Sequence, residues 1–333
     1  MDKIALAPKK ERKSIFIEAA NRTGISNFII EKDFWVSWVL ERVFRDEDLS
    51  KILRFKGGTS LSKAFGLINR FSEDIDLILS MSVILEPDEI LEQSSNTKQI
   101  EFNKAIEDRA KNYIGSTLFK DIRYYLANTC SIHHDKNDGH VLLVKYLHVF
   151  DYDYIQPEVR LEIGPLALWT PNEQYPISSF VEKALPELGI KKTIIPTIKP
   201  EQTFWEKITI LHHEHHRPKT SPLPPRYSRH YYDVYMMGKS NVKTCALNNI
   251  NLLEEIVNFK IRFYPRGWAN YENAFPGTIR LLPAEHNSEI LAKDYHEMQK
   301  MLFGDIPSWD VILSEIEILE NEINFYKKNT FKN

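Results

Sequence analysis

Two adjacent glycines occupy a point of the chain where they could bind a phosphate. Gly57 and Gly58 lie between a predicted strand, residues 53–55, and a predicted short helix, residues 60–65. Glycine lets main-chain N–H groups come close to an anion, and the N-terminus of a helix favours negative charge. The pattern therefore predicts a phosphate-binding turn, although two glycines before a helix more often form only a turn.

Two aspartates follow this turn on a predicted strand, residues 74–79. Asp74 and Asp76 are two positions apart, which places both carboxylates on one face of the strand, where they can share hard divalent cations. Mg²⁺ held between carboxylates and a triphosphate serves nucleotidyl or phosphoryl transfer. A third acid is expected on a neighbouring strand, with Glu162 as the first candidate and Glu158 as the second. The alternative is that the Asp-x-Asp motif is a solvated strand end.

The order of these motifs is more specific than either motif alone. Strand, Gly-Gly-Thr, helix and Asp-x-Asp strand follow one another as in a nucleotidyltransferase. Lys56-Gly57-Gly58-Thr59 and residues 70–76 (RFSEDID) resemble the AbiEii/AbiGii toxin family, within the DNA polymerase β-like nucleotidyltransferase superfamily. The resemblance extends over most of the chain. Four further segments share it: residues 31–35, 203–207, 228–233 and 268–280.

The resemblance implies an activity and its partners. Proteins of this family are toxins of toxin–antitoxin or phage-defence systems, usually paired with an AbiEi-like antitoxin. Characterised relatives bind nucleoside triphosphates (NTPs), and some add nucleotides to tRNA acceptor ends. The chain is therefore expected to transfer a nucleoside monophosphate from an NTP to the 3′ end of tRNA in a Mg²⁺-dependent reaction that releases pyrophosphate. Two alternatives stay open: the acceptor could be a protein hydroxyl or a small molecule, or the chain could be a catalytically silent module that binds NTP or a partner protein.

The resemblance also assigns residues, position by position. It assigns the triphosphate to Gly57, Gly58 and Thr59 and matches a family serine at Ser72. The expected triphosphate-binding set also includes the flanking Lys56 and Ser60. The resemblance assigns Mg²⁺ binding to Asp74 and Asp76 and adds Lys207 and Asp233. Glu162, chosen from the strand pattern, completes the catalytic set, and Asp74, Asp76 and Glu162 are the expected ligands of a two-metal site.

Two members of the catalytic set lie in the second half of the chain. Lys207 is expected on a phosphate, and Asp233 matches an acid essential for the site; either Glu162 or Asp233 is expected to activate the acceptor hydroxyl. Without the resemblance, Lys207 could simply be solvated and Asp233 could pair with a nearby arginine. The chain departs from the pattern at Arg229-His230, where some relatives have Arg-Asp, so a fourth acid is missing.

Hydrophobic periodicity predicts an α/β (α+β) protein that positions these residues in two lobes. Residues 1–190 form a mixed-sheet nucleotidyltransferase lobe with N-terminal helices, and residues 191–333 form a helical lobe, with the active site expected in the cleft between them. A wide apolar face predicts that residues 26–45 form a helix packed into the core. Predicted strands of the first lobe are 53–55, 74–79, 118–127, 141–149 and 159–163, with a helix at 98–114. Predicted helices of the second lobe are 201–215, 229–238, 249–263, 285–303 and 309–325.

Composition excludes several classes of protein. The chain has 333 residues, a net charge of -3 and two cysteines, which argue against a disulfide framework, a cysteine zinc ribbon and a general nucleic-acid coat. The charged start and the lack of a long apolar run predict a cytoplasmic protein without a membrane span. Neutrality hides a basic stretch: residues 217–280 carry ten Lys and Arg against four acids, whereas residues 281–333 carry five against ten.

Three further segments allow more than one reading. The basic stretch, with its interleaved aromatic residues, could contact RNA, form an ordinary helical surface or bind an acidic antitoxin. The tract of residues 212–216 (HHEHH) lacks the His-Glu-x-x-His spacing of a zinc protease, and a solvated helix end is favoured over a metal site. Glu31, Lys32 and Asp33 are expected to form structural ion pairs outside the site.

Overall fold

A seven-stranded mixed sheet supports the predicted acids. The computed structural model describes residues 1–126, 128–151 and 157–330. The strands are β1 (Leu53–Lys56), β2 (Ile75–Leu79), β3 (Ser131–His134), β4 (Val141–Lys145), β5 (Glu158–Gly164), β6 (Asn172–Ile177) and β7 (Thr193–Ile198). Their order across the sheet is β3-β4-β5-β2-β1-β7-β6. The β2–β5 and β1–β7 pairs are parallel and the other pairs are antiparallel. The mixed α/β fold expected from the sequence is thereby confirmed.

The chain divides into two compact units. The first unit contains residues 1–65 and 71–198, and the second contains residues 66–70 and 199–333. The predicted lobe boundary at residue 190 precedes β7, a strand that pairs with both β1 and β6. The first unit therefore continues to Ile198.

Eight helices accompany the sheet among the described residues of the first unit. They are α1 (Asp2–Ala5), α2 (Lys9–Thr23), α3 (Asn27–Phe44), α4 (Glu47–Ile52), α5 (Gly57–Lys63), α6 (Asn96–Tyr113), α7 (Phe119–Leu126) and α8 (Phe180–Ala184). Helix α3 is buried along most of its length, including Trp35 and Trp38, as its wide apolar face predicts.

Buried charges on α3 are paired, as expected. Lys32 Nζ lies 2.5 Å from Glu73 Oε2, and Lys63 Nζ lies 2.5 Å from Asp33 Oδ1. Glu31 is different, because its carboxylate accepts main-chain N–H groups and forms no described ion pair. The Val149 N–H donates to it at 2.7 Å, and burial raises the pKa of Glu31 to about 7. The ion-pair prediction is confirmed for Lys32 and Asp33 and is wrong for Glu31.

The strand predicted at residues 118–127 is wrong, because the chain forms α7 there. A π-helical turn, Ile114–Leu118, leads directly into this helix. Ile114, Leu118, Ile122 and Leu126 are all fully buried and recur every four residues, which is a helical spacing. The residues between these positions include types that favour strands, and these types led to the strand prediction. Residue 127 lies outside the described residues.

Other differences concern the ends of elements and short elements. β4 ends at Lys145, four residues before the predicted end. The strands β3, β6 and β7 and the helices α4, α8 and α11 were not predicted.

The second unit is helical in its described part. Its helices are α9 (Pro200–His215), α10 (Ser228–Gly238), α11 (Asn241–Leu247), α12 (Ile250–Phe263), α13 (Glu285–Met298) and α14 (Trp309–Thr330). Large side chains such as Trp205, Tyr231 and Tyr295 are fully buried in this unit. Among the described residues, no helix is both long enough and apolar enough to cross a membrane.

Candidate active site

The three predicted acids lie on adjacent strands at the centre of the sheet. Asp76 lies in β2 and is paired in register with Glu162 on the parallel strand β5. Asp74 precedes β2 by one residue and shares the exposed face with Asp76, because the intervening Ile75 is fully buried. Glu158 is four residues before Glu162, about 13 Å along the strand. The geometry therefore groups Asp74, Asp76 and Glu162 and leaves Glu158 apart.

The glycine turn faces these acids directly. Lys56 ends β1 and is paired with Asp76 across the antiparallel β1–β2 ladder. Gly57 follows it with φ of +78°, a conformation that favours glycine, and a Cβ built on Gly57 would collide with the Asp76 carboxylate. Gly57 is therefore required both by its backbone conformation and by the space that Asp76 occupies.

Buried hydroxyl groups hold the two motifs together. The Thr59 hydroxyl shares a 2.9 Å hydrogen bond with the Ser72 hydroxyl and donates to the Asp74 main-chain oxygen at 2.5 Å. The Ser60 hydroxyl donates to the Gly57 oxygen at 2.8 Å. Thr59 and Ser60 are fully buried, so their hydroxyls support the turn from inside.

Crowding of negative charge is visible at Glu162. Burial and the neighbouring carboxylates of Asp76 and Asp74 raise the pKa of Glu162 to about 7, against the opposing effect of Arg160. Glu162 is therefore half-protonated near neutral pH.

This raised pKa predicts a pH-dependent effect of Glu162→Gln on stability. The folded chain keeps a proton on Glu162 up to about pH 7, whereas the unfolded chain loses it near pH 4.5, so this residue's contribution falls as the pH rises between these values. Because the side chain is 43% exposed, solvent screens much of this effect, and Glu162→Gln is expected to stabilise the chain by about 1 kcal/mol at pH 8. At pH 4.5 no difference is expected. Urea unfolding in EDTA at both pH values measures this, and a less stable variant at pH 8 would contradict it.

The donor set fits Mg²⁺ in its chemistry. Three carboxylates supply the hard oxygen ligands that Mg²⁺ prefers, and a divalent cation would relieve the repulsion that raises the pKa of Glu162. Within the described ranges, no three His, Cys, Asp or Glu side chains converge in the spacing of a formed metal site. Binding a cation here therefore requires the acidic side chains to turn toward one another.

Sequence reasoning missed two residues beside the acids. Arg160 Nε lies 3.9 Å from Asp74 Oδ1 and 3.5 Å from Glu162 Oε1, and Arg160 Nη1 lies 3.1 Å from Asp135 Oδ2. Arg160 and Glu162 are two positions apart on β5, so both lie on its polar face. This spacing could have identified Arg160 from the sequence. Asp135 follows a strand that was not predicted, so it had no comparable signal.

Lys207 and Asp233 contact each other within the helical unit. Lys207 Nζ lies 2.8 Å from Asp233 Oδ2, and Arg70 donates to both oxygens of Asp233 at 2.7 and 2.8 Å. Asp233 is fully buried, and both cations are 6% exposed. Burial acts to raise the pKa of Asp233, but Arg70 and Lys207 hold it well below its usual range. Asp233 therefore stays ionised near neutral pH, and its carboxylate pairs with the charged groups of Arg70 and Lys207.

His230 lies beside this triad. Its Nδ1 atom is buried without a hydrogen-bond partner among the described residues, and its ring contacts Tyr227 with centroids 4.9 Å apart. Burial and the charges of Lys207 and Arg229 lower the pKa of His230 well below its ordinary value. His230 is therefore a neutral imidazole at pH 7 and does not replace the acid that some relatives have there.

The histidine tract is a buried hydrogen-bond network, so the predicted solvated helix end is wrong. His212 is fully buried, shares a 2.9 Å hydrogen bond with the Asn270 oxygen and accepts the Arg280 N–H at 3.0 Å. His213 Nε2 hydrogen-bonds with Glu214, which also binds Arg217 through both oxygens. These partners explain the tract as a structural element of the second unit.

Comparison with known proteins identifies one family. The model of the family described as "Nucleotidyl transferase AbiEii toxin, Type IV TA system" matches residues 38–315. No curated protein matches the chain.

Two solved structures align over most of the chain. The nucleotidyltransferase toxin MenT4 of Mycobacterium tuberculosis is 13% identical, with 98% of this chain and 91% of that chain covered and a TM-score of 0.46. JHP933 of Helicobacter pylori is 15% identical, with 90% and 95% covered and a TM-score of 0.43.

Proposed function

Because the chain belongs to the AbiEii family of nucleotidyltransferase toxins of type IV toxin–antitoxin systems, we propose that it transfers a nucleoside monophosphate from an NTP to the 3′ end of tRNA with Mg²⁺. The observation that carries this proposal is the pairing of Asp76 with Glu162 in register, directly beside Gly57. Family membership itself implies a nucleotidyltransferase with an NTP substrate and an antitoxin partner.

The acids and the glycine turn have different roles in the proposed reaction. Asp74, Asp76 and Glu162 would hold Mg²⁺, whose charge neutralises the attacking and leaving oxygens. The main-chain N–H groups of the Gly57-Gly58 turn would bind triphosphate oxygens. The 3′-hydroxyl oxygen bonds to the α-phosphorus, the bond from that phosphorus to the bridging oxygen breaks, and pyrophosphate leaves.

The proton of the acceptor hydroxyl needs a base, and Glu162 suits this role better than Asp233. Glu162 is paired in register with Asp76 and its side chain is 43% exposed, so it can face an acceptor hydroxyl beside the proposed metal ligands. Asp233 has a depressed pKa, and Arg70 and Lys207 engage its oxygens. We therefore assign Asp233 to positioning Lys207, and Lys207 to a phosphate, as the family motif implies.

The tRNA acceptor is supported by the family resemblance and by charge in the second unit. Acids of α14 neutralise part of the basic stretch: Lys243 lies 2.8 Å from Glu322, and Lys239 lies 3.7 Å from Glu315. Lys219 and Arg266 are exposed in the same stretch and are candidates for contacts with RNA phosphates.

Labelled NTPs test the proposal in vitro. Wild-type protein with Mg²⁺ and total tRNA should transfer label to tRNA, whereas an Asp74→Ala/Asp76→Ala double variant should transfer at least about 10³-fold less, because charge stabilisation at the reacting oxygens is lost. Equal labelling by the double variant would refute the proposed site. Label that enters protein or small molecules of a lysate, and not tRNA, would keep the site and change the acceptor.

A further inference from the structure

Arg160 bridges carboxylates from three separate segments of the first unit. Its Nε lies near Asp74 and Glu162, at 3.9 and 3.5 Å, and its Nη1 lies 3.1 Å from Asp135. Asp74 precedes β2, Glu162 lies on β5 with Arg160 itself, and Asp135 follows β3. One guanidinium therefore contacts two of the three proposed metal ligands and a third acid outside that set.

Arg160 lies closer to Asp135 than to the other two acids, and Asp135 is itself held in place. Asp135 is held by the turn that follows it, since its Oδ1 accepts the N–H of Asn137 at 2.7 Å and that of Asp138 at 3.2 Å. Arg160 donates to Asp135 at 3.1 Å, whereas its Nε lies farther from the other two acids, at 3.5 Å from Glu162 and 3.9 Å from Asp74. Arg160 can thus leave Asp74 and Glu162 while Asp135 still holds it.

Negative charge accumulates at this place when no metal is bound. Asp74 and Asp76 share one face of the sheet, and Glu162 is paired in register with Asp76 on the adjacent strand. Arg160 supplies a positive charge within 4 Å of two of them. A divalent cation that binds the same oxygens must compete with this charge, because two cations close to the same ligands repel each other.

We propose that Arg160 is a positioning residue that acts as the counter-charge of the acidic site without metal, withdraws toward Asp135 when Mg²⁺ binds, and so sets the affinity of the site for divalent cations. This inference rests on the proposed function, since it takes Asp74, Asp76 and Glu162 as the metal ligands. It adds one point that the acids alone do not predict: Arg160, which is not a metal ligand, weakens the affinity of the site for divalent cations.

Binding of Mn²⁺ to the protein alone, without NTP, tests this role. Mn²⁺ replaces Mg²⁺ because electron paramagnetic resonance measures its free concentration directly, and the readout does not depend on catalysis. Arg160→Ala should bind Mn²⁺ about tenfold more tightly than wild type, because a unit positive charge about 4 Å from the ligands is removed. Arg160→Lys keeps the charge and should stay within about threefold of wild type. Lys145→Ala removes an exposed cation from the neighbouring strand β4 and should leave the affinity within about twofold.

The outcomes separate this inference from the proposed function. If Asp74→Asn/Asp76→Asn abolishes Mn²⁺ binding while Arg160→Ala binds as wild type or more weakly, the role of Arg160 is refuted and the metal site stands. If the double variant binds Mn²⁺ as wild type does, the metal site and the inference both fail. Far-ultraviolet circular dichroism of each variant verifies that it is folded. Should Arg160→Ala not fold, Arg160→Gln provides the neutral variant, with the same expected tightening.

Discussion

Replacing Asp233 with asparagine is expected to lower the free energy of unfolding by about 3–5 kcal/mol, which is the usual cost of removing one partner from a buried ion pair. The variant would leave Arg70 and Lys207, both 6% exposed, without the carboxylate that compensates their charge. Urea unfolding followed by circular dichroism at pH 7 measures the effect. Because the pKa of Asp233 is depressed in the folded chain, the difference from wild type should persist above about pH 4 and decline as the pH falls below it.

Lys207→Met is the matched control for this prediction. It removes one cation but leaves the two hydrogen bonds between Arg70 and Asp233 in place, so we expect a smaller loss of about 1–2 kcal/mol. A loss below about 1 kcal/mol for Asp233→Asn, or a loss no larger than that of Lys207→Met, would contradict the view of Asp233 as the charge that holds both cations.

Gly57→Ala is expected to reduce nucleotide transfer by at least about 100-fold, since a displacement near 1 Å at a reacting centre can have that effect. The added methyl group would collide with the Asp76 carboxylate and force either Asp76 or the turn to move. The same substitution also strains a backbone with φ of +78°. The rate of label transfer to tRNA, compared at equal concentrations of folded protein, measures the effect.

Gly24→Ala separates the two causes. Gly24 has a similar φ, +70°, but a Cβ there would meet no atom within 4 Å. This control should cost about 1 kcal/mol of stability through backbone strain alone and leave transfer unchanged. If Gly57→Ala retains more than about a third of wild-type transfer, the close approach of Gly57 to the Asp76 carboxylate is not needed for transfer, and the prediction is contradicted.

The acidic site could be predicted from sequence because its signals are local. The two-residue spacing fixes the common face of Asp74 and Asp76, and the alternation around Glu162 indicates a strand with one polar face. The structure adds the register that pairs Asp76 with Glu162 and the close approach of Gly57 to Asp76. Neither can be read from spacing, because both depend on how separate segments pair in three dimensions.

Long-range polar contacts were beyond sequence reasoning. Arg70 and Asp233 are 163 residues apart, and no local pattern links them. The histidine tract was misinterpreted for the same reason, because its partners Asn270 and Arg280 lie 58 and 68 residues from His212. In each case the polar groups are satisfied by residues of the same unit that are distant in the sequence.

Proline explains part of what was missed in the sheet. β7 contains Pro196 and β6 contains Pro176, and a proline inside a short apolar segment argues against a central strand. β7 nevertheless lies between β1 and β6, so the first unit extends beyond the boundary drawn at residue 190. Tertiary pairing here outweighs the local preference.

The charge pattern of the second unit also gains a structural explanation. In the sequence, the basic stretch and the acidic C-terminal segment follow one another as separate regions of opposite charge. In the structure, cations of the first pair with acids of α14, among them Lys243 with Glu322 and Arg280 with Glu320. Part of the positive charge therefore stabilises the unit itself, and fewer cations are left for RNA than the sequence suggests.

Mass spectrometry of tRNA 3′ ends after brief expression tests the central claim most directly. Cells that express the wild-type chain should contain tRNA extended by the mass of one or more nucleotides, and cells that express Asp74→Ala/Asp76→Ala should not. Extension that is absent with the wild-type chain, or equally abundant with the double variant, would contradict the assignment of Asp74 and Asp76 to nucleotide transfer onto tRNA.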